Sequence, residues 1–160
     1  MSKKDVPMTS AVRCLISHGI DFEGVTYAYE DKGGTRVSSR ELGVDEHQVI
    51  KTLIMETQNK EPLVVLMHGD REVSVKTLAR SLGIKSIGPC DPKTAQRHSG
   101  YQVGGTSPFG LKKPMPVYVE SSILALDRIY INGGKRGFLV RIDPRDLDKV
   151  LEVTEVQVAI

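Results

Sequence analysis

The stretch Leu63-Val64-Val65-Leu66-Met67 decides the fold, because it places five apolar residues in a row between polar segments. A strand that faces water on one side alternates apolar and polar residues, whereas an uninterrupted apolar run is typical of a strand buried on both faces. We therefore predict a central strand here. This is also the longest strictly apolar run in the chain. It is far shorter than the roughly 20 residues of a membrane span, so an integral membrane protein is not expected.

Short strand and helix signals alternate irregularly on both sides of this strand. Such an alternation predicts an α/β or α+β architecture with a mixed sheet. No linker, repeat or low-complexity tract interrupts it, so we predict a single domain over residues 1–160. The predicted strands are 25–29, 51–57, 63–67, 116–119, 129–131 and 138–142, and the predicted helices are 10–18, 38–42, 45–49, 75–82, 92–99 and 145–151.

Composition excludes several classes of protein. Of the 160 residues, 39% are hydrophobic and 26% are charged, and the net charge is only +2, which is typical of a globular domain rather than a disordered chain. Trp is absent and aromatic residues make up 5%, which argues against an aromatic platform for single-stranded nucleic acid. Two isolated cysteines form no disulfide framework and the N-terminal segment has no export-signal core, so we predict a cytoplasmic protein.

Several motifs of known enzymes are absent or incomplete. Residues 105–110 have the glycine spacing of a Walker loop, but Leu111 stands where that loop needs its phosphate-binding lysine. The sequence contains no Gly-x-Ser-x-Gly nucleophile elbow. Cys14 and His18 are one helical turn apart, but two residues do not complete a metal site. Triphosphate hydrolysis and metal-dependent chemistry are therefore not expected.

The segment from Gly100 to Gly110 has four glycines and two hydroxyl side chains in eleven positions. Glycines allow the backbone to approach a ligand closely, and successive free N–H groups form a nest for an oxyanion, a carboxylate or a polarised carbonyl. Pro108 restricts φ and stiffens the segment. An ordinary connector between a helix and a strand is the alternative, but a ligand-binding loop explains this composition better.

Three other features are ambiguous when each is considered alone. Residues 132–137 (Asn-Gly-Gly-Lys-Arg-Gly) form either a hairpin turn, which the Asn-Gly pair favours, or a rigid turn that brings amides and cations to a ligand. Lys51 is either a solvated strand end or a point charge for a phosphate or a ribose hydroxyl. Lys112 and Lys113, with other cations of the last third, are either solvated surface charges, which is the commoner case, or part of an anion-binding surface.

Taken together, these segments resemble the YbaK/EbsC family, relatives of the editing domain inserted in bacterial prolyl-tRNA synthetase. The resemblance extends from about Pro7 to Ile160. It depends on the order and spacing of several motifs, none of which would be specific alone. The motifs are Lys51-Thr52-Leu53, Asp91-Pro92, Gly100-Tyr101, Gly104–Gly110, Lys112-Lys113, Pro116 and Gly133–Gly137.

The resemblance implies a compact α/β domain with a mixed, partly barrel-like sheet surrounded by short helices. It implies a free-standing aminoacyl-tRNA deacylase that removes a wrong small amino acid, such as cysteine or alanine, from the 3′ end of tRNA, with proline tRNA as the expected substrate. The expected partners are the acceptor end of tRNA and prolyl-tRNA synthetase, and neither a metal nor an organic cofactor is implied. Lys51 matches the family's essential lysine, and Gly104 and Pro108 match the ends of its Gly-x-x-x-Pro loop.

These residue types suit that chemistry. An aminoacyl ester is already activated, so orientation by the protein can supply much of the rate. The amides of Gly105, Thr106 and Ser107 are expected to hold the ester carbonyl as charge develops on it. Lys51 would hold the terminal adenosine, and the attacking group would be its ribose 2′-hydroxyl, an ordered water or a substrate thiol. The other residues expected to contact substrate or tRNA are Tyr29, Asn132, Gly133, Gly134, Lys135, Arg136, Leu139, Lys112 and Lys113.

Three positions depart from the pattern of cysteine-specific members. Leu139 stands where an acidic residue is common, Asn132 replaces a serine, and an aromatic residue is missing near Gly34. Leu139 would make the pocket less polar and Asn132 would bring a bulkier hydrogen-bonding group, so the pocket is expected to differ from that of the cysteine-specific members. A non-catalytic module that binds tRNA or a synthetase is the alternative function. A hydrolase with Cys90 or Ser107 as its nucleophile ranks last, because the sequence places no base beside either.

Overall fold

The computed structural model describes residues 6–160, which form eight strands and five α-helices. Among these residues, no helix is both long enough and apolar enough to cross a membrane. The strands are β1 (Glu23–Thr26), β2 (Val49–Thr57), β3 (Pro62–His68), β4 (Ile87–Pro89), β5 (Val117–Glu120), β6 (Ile129–Lys135), β7 (Phe138–Ile142) and β8 (Val153–Val156). The α-helices are α1 (Ser10–Ser17), α2 (Gly34–Leu42), α3 (Val75–Leu82), α4 (Pro92–Ser99) and α5 (Leu147–Val150), and 3-10 helices cover Glu46–Gln48, Ser121–Ala125 and Pro144–Asp146.

The strands form one mixed sheet in the order β1-β7-β6-β2-β3-β5-β8, and β4 pairs with β2 beside this path. β3 lies inside the sheet, antiparallel to β2 and parallel to β5. Val64 and Leu66 belong to one apolar core, and Leu63, Val65 and Met67 belong to a second core. Since successive side chains of a strand point to opposite faces, the two cores lie on the two faces of β3. The predicted central strand and mixed α/β architecture are confirmed.

Side-chain caps mark the starts of α1 and α3. The Thr9 side chain accepts a hydrogen bond from the Val12 N–H at the start of α1, and Ser74 does the same for Thr77 at the start of α3. Each cap satisfies one of the backbone donors that the first turn of a helix leaves free. α1 then packs into the first core and α3 into the second.

Several predicted boundaries are wrong. The first strand runs over Glu23–Thr26 rather than 25–29, because β1 pairs with Arg141 to Phe138 of β7 and leaves Tyr29 beyond its end. α2 begins at Gly34, four residues earlier than predicted, and the final helix is a 3-10 turn followed by a four-residue α-helix. β4 and β8 were not predicted, because three or four residues at a sheet edge carry almost no periodic signal.

The sheet leaves an open edge along the middle of β2. On the side away from β3, β6 pairs only with Val49 and Ile50, and β4 pairs only with Met55 to Thr57. Between these pairings, residues 51–54 have no ladder partner on that side within residues 6–160, although the Cys90 N–H donates to the Ile54 carbonyl at 3.2 Å. Unpaired strand edges present backbone donors and acceptors to a ligand or another chain. This gap positions the candidate site.

Candidate active site

A cleft of about 430 Å³ lies along the open edge of β2. Its lining includes Lys51 to Ile54 of β2, Ala95 of α4, and Tyr29, Gly104 and Arg136 from the loops and the β6–β7 hairpin. A concave site of this size, with apolar walls and a few polar groups, is typical of a small-ligand pocket. The cleft therefore brings the predicted lysine and the predicted glycine-rich loop to one place.

The glycine-rich loop is attached to the β6–β7 hairpin by two side chains. The Asn132 amide donates to the Gly104 carbonyl at 3.0 Å, and the Arg136 Nε donates to the Val103 carbonyl at 2.9 Å. The Arg136 guanidinium also lies 5.3 Å from the centroid of the Tyr29 ring, within cation–π range. The two glycine-rich segments, which were ambiguous alone, thus form one wall of the cleft.

The hairpin turn is not where the Asn-Gly pair predicts it. β6 continues to Lys135, and the two turn residues are Arg136 and Gly137. The Asn132 side-chain carbonyl accepts the N–H groups of Gly134 and Lys135, which makes a bulge in β6. The segment therefore does contain a hairpin turn, four residues later than the Asn-Gly pair predicts, and the bulge aims the amide nitrogen of Asn132 at the loop.

Lys51 lines the cleft, and its ammonium contacts two residues of the segment that follows β3. Its ammonium donates to the Arg71 carbonyl and lies 3.5 Å from a Glu72 carboxylate oxygen, and its side chain is 18% exposed. Both partners lie in the turn after β3. An ammonium is a compact charge with three donors, so these contacts leave donor capacity for an incoming ligand. Sequence reasoning missed Arg71 and Glu72, because no local motif marks them.

Thr52 is a polar residue without a partner next to Lys51. Its hydroxyl is buried and makes no hydrogen bond to the residues that the structure describes, and the residue lines the cleft. A buried polar atom without a partner costs free energy, on the order of 1–3 kcal/mol. A ligand that supplies a hydrogen bond would remove that cost. Sequence analysis quoted Thr52 only as part of a motif and gave it no role.

The loop amides are not equally available. The Gly105 N–H donates to the Gln102 carbonyl at 2.9 Å, so the prediction that it holds an ester carbonyl is wrong. Ser107 is fully buried and its hydroxyl accepts the Phe109 N–H at 3.2 Å. Thr106 lines the cleft, and its N–H has no acceptor within residues 6–160. Thr106, like Val103 and Gly104, is therefore a cleft-lining loop residue whose amide is available to a ligand.

The predicted site residues fall into two groups. Those that line the cleft are Tyr29, Lys51, Gly104, Thr106, Asn132, Arg136 and Leu139. Those outside its lining are Gly105, Ser107, Pro108, Gly133, Gly134, Lys135, Lys112 and Lys113. Most of the second group shape the loop or the hairpin, whereas Lys112 and Lys113 are exposed beside the end of α4.

Comparisons with known proteins identify the family of this chain. The aminoacyl-tRNA editing domain family matches residues 33–150. The chain belongs to this family. EbsC of Enterococcus faecalis, which is named as a candidate Cys-tRNA(Pro)/Cys-tRNA(Cys) deacylase, is 28% identical over 158 residues, covering 98% of this chain and 94% of EbsC.

Two further comparisons, one with a sequence and one with a solved structure, extend this result. The proline–tRNA ligase of Brachyspira hyodysenteriae is 33% identical over 86 residues, which span 54% of this chain and 15% of the ligase. A crystal structure described as a candidate trans-editing enzyme for prolyl tRNA synthetase has a TM-score of 0.84 at 19% identity, covering 97% of this chain and 99% of the other. That structure shares the editing-domain fold.

Two of the departures from the family pattern lie side by side in this editing domain. Asn132 and Leu139 are cross-strand partners in the β6–β7 ladder, and both line the cleft. Leu139 is 4% exposed and belongs to neither apolar core. The wall that these two residues form is therefore apolar at one position and amide-bearing at the other.

Replacing Cys90 with serine in this editing domain is expected to leave activity within about twofold of wild type. Burial, with the nearby Glu56 carboxylate, raises the pKa of the Cys90 thiol to about 11. The thiolate is the nucleophilic form, so it is almost absent near pH 7. Rates of amino acid release from aminoacyl-tRNA measure the effect. A loss of more than about tenfold, with the fold intact, would instead support the thiol as nucleophile.

A pair of stacked histidines contacts the segment after β3 that also holds Lys51. The rings of His47 and His68 are 3.7 Å apart and nearly parallel, at 7°, and His47 Nδ1 lies 2.8 Å from Asp70. His68 Nδ1 donates to the His47 carbonyl, and its Nε2 accepts from Ser122. Because ring nitrogens bind a metal in the plane of the ring, two parallel rings at this spacing cannot share one ion. The hydrogen bond between His47 and Asp70 instead links this pair to the turn whose next residue, Arg71, contacts Lys51.

Stability of this editing domain is expected to fall as the pH drops below about 6.5. Burial is the main cause that lowers the pKa of His68 from its ordinary value of 6.5, so the unfolded chain binds the proton more readily than the folded one. Stability contributed by neutral His68 is thus complete above 6.5 and is lost towards the lower folded pKa, by at most about 1.4 kcal/mol per pH unit. Urea unfolding at pH 7.5 and 5.5 measures this change.

An NMR titration of the His68 ring protons checks the cause directly. A midpoint below 6.5 is expected, and a midpoint at or above 6.5 would contradict the assignment. The variant His68→Gln should flatten the pH dependence of the unfolding free energy.

Proposed function

We propose that this chain is a trans-editing aminoacyl-tRNA deacylase that removes a mischarged small amino acid, such as alanine or cysteine, from the 3′ end of proline tRNA. The observation that carries the proposal is that Lys51, Thr52 and Thr106 meet in one cleft of an editing domain. The names of EbsC and of the proline–tRNA ligases support the tRNA and the reaction. Prolyl-tRNA synthetase would supply the mischarged tRNA, and the reaction would take place in the cytoplasm.

The proposed reaction uses binding and orientation rather than a protein nucleophile. Lys51 binds a phosphate or the ribose of the terminal adenosine, and the Thr106 amide donates to the ester carbonyl as negative charge develops on it. The oxygen of water forms a bond to the carbonyl carbon, and the bond from that carbon to the ribose oxygen breaks. The water proton passes to the ribose oxygen, so the products are the free amino acid and deacylated tRNA.

Two alternative attacking groups fit the same geometry. The ribose 2′-hydroxyl would attack the neighbouring ester and take the aminoacyl group from the 3′ oxygen, and water would then break the new 2′ ester to release the amino acid. The thiol of a cysteinyl group would instead attack its own carbonyl and leave as a thiolactone. In each first step the bond to the 3′ oxygen breaks and that oxygen takes the proton. Neither needs a base on the protein, which fits a cleft in which Ser107 is buried and Cys90 stays protonated.

The amino acid pocket favours a small uncharged side chain. Leu139 and Asn132 form one wall, and Ile50 and Ile54 lie on the β2 side. A charged side chain packed against Leu139 would face an apolar group, and burying an unpaired charge is costly. The buried Thr52 hydroxyl offers one hydrogen bond to an ester, an amine, a hydroxyl or a thiol of the substrate.

A panel of aminoacyl-tRNAs tests the proposal. Proline tRNA charged separately with alanine, cysteine, serine and proline is incubated with the protein, and release of the labelled amino acid is followed. We expect release of alanine or cysteine and little release of proline. Tight binding of the same tRNAs without release from any of them would instead indicate a non-catalytic binding module.

A further inference from the structure

We propose that four exposed cations beside α4, namely Lys93, Arg97, Lys112 and Lys113, form a binding surface for backbone phosphates of the tRNA outside its terminal adenosine. These four residues are called the α4 cation cluster. The inference rests on the proposed function for the identity of its partner. It adds a second contact region, separate from the cleft, that would set the affinity for the tRNA body.

Backbone hydrogen bonds hold the two halves of the cluster together. The Lys112 N–H donates to the Ser99 carbonyl at 3.0 Å, and the Lys113 N–H donates to the His98 carbonyl at 3.2 Å. The loop that carries both lysines is therefore fixed along the end of α4. Burial is the main cause that lowers the pKa of His98, and the charges of Lys113 and Arg97 lower it further. Both cations therefore lie close enough to act on the same imidazole.

The cluster has no carboxylate partner of its own. None of its four members forms an ion pair within residues 6–160, whereas Arg40, Lys60 and Lys149 each do. All four are exposed. Charges left unpaired at one place on a protein whose net charge is only +2 concentrate its positive potential there.

Two carboxylates lie near the cluster, and both are occupied. Asp91 accepts hydrogen bonds from the N–H and the hydroxyl of Thr94, as the cap of α4. Glu56 pairs with Lys60 at 3.3 Å. The Asp91 charge attracts Arg97, and Asp91 and Glu56 are two acids beside four cations, so an excess of positive charge remains. This excess fits an anionic polymer better than an acidic side chain on another protein.

The helix α4 carries Lys93 and Arg97 of the cluster and also lines the cleft. Ala95 of α4 faces the cleft, while Lys93 and Arg97 are one helical turn apart and on the other side of the same helix. An eight-residue helix is about 12 Å long. An acceptor strand whose 3′ end enters the cleft would therefore pass this helix within a few nucleotides of its terminus.

Charge reversal of the cluster is the test, with a matched pair as control. In Lys93→Glu/Arg97→Glu, we expect KM for aminoacylated tRNA to rise at least about tenfold with kcat within about twofold of wild type. The control is Lys76→Glu/Arg80→Glu, because these exposed residues have the same spacing on α3, which packs in the other core. Circular dichroism and thermal unfolding check that both variants fold.

Binding of uncharged tRNA separates this inference from the proposed function. Each phosphate contact adds about 0.7–0.9 to the slope of log K against log salt, so loss of two contacts should reduce the slope by about 1.5. A reduced slope in Lys93→Glu/Arg97→Glu but not in the α3 control supports the inference even if no amino acid is released. Equal affinity and equal slope in the two variants, or no binding of tRNA by the wild type, would overturn it.

Discussion

Replacing Lys51 with alanine is expected to lower the rate of amino acid release at least about 100-fold, which corresponds to about 2.7 kcal/mol of transition-state stabilisation. Among residues 6–160, the ammonium is one of three cations that line the cleft, with Lys32 and Arg136, and it is the one on β2, where the Arg71 carbonyl and Glu72 hold it. Its loss removes the charge that is proposed to hold the terminal adenosine. Single-turnover release from aminoacyl-tRNA measures the effect.

Two controls separate this role of Lys51 from an effect on folding. Lys76→Ala removes an exposed lysine of α3 and should release amino acid at the wild-type rate. Lys51→Arg keeps the charge but replaces a compact ammonium with a planar fork, so an intermediate rate is expected. A folded Lys51→Ala variant with an unchanged rate would show that the assigned role is wrong.

Replacing Gly104 with alanine is expected to have the second largest effect, a loss of activity of about 50-fold or more. Gly104 has a φ of +89°, which an L side chain rarely adopts, and an added Cβ would lie 2.5 Å from the Tyr29 hydroxyl. Backbone strain of this kind costs about 1–3 kcal/mol. The same residue accepts the Asn132 hydrogen bond, so a shift would detach the loop from the hairpin.

Two comparisons identify the origin of the Gly104 effect. Gly88→Ala, in β4, has no atom within 4 Å of the added Cβ and no positive φ, so it should behave like wild type. Combining Gly104→Ala with Tyr29→Phe removes the closest contact but not the strain, so activity should recover only in part. Full activity of Gly104→Ala alone would mean that the loop geometry does not matter. Deacylation rates measure the effect on activity, and urea unfolding curves measure the effect on stability.

Local signals predicted much of the fold. The run at residues 63–67 predicted a strand buried on both faces, and the helices predicted to start at residues 10, 75 and 92 do start there, each behind a side-chain cap. In each case the physical cause acts within a few residues. β4 and β8 escaped prediction because they are short and depend on partners, β2 and β5, that are distant in the chain.

The candidate site was likewise predicted where local sequence signals exist and missed where distant segments create it. Lys51, the Gly104 loop and the β6–β7 hairpin were each visible in the sequence, and the resemblance to a family joined them. The open edge of β2 was not visible, because it exists only where the pairings of β4 and β6 stop short of each other. The occupied amide of Gly105 depends on the conformation of the loop rather than on its composition.

Release of labelled amino acid from proline tRNA charged with alanine or cysteine, at catalytic concentrations of protein, tests the central claim most directly. We expect the wild-type protein to release alanine or cysteine over many turnovers, to spare prolyl-tRNA, and to lose this activity in the Lys51→Ala variant. If neither amino acid is released, or if release continues undiminished without Lys51, the assignment of this cleft as a deacylase site is contradicted.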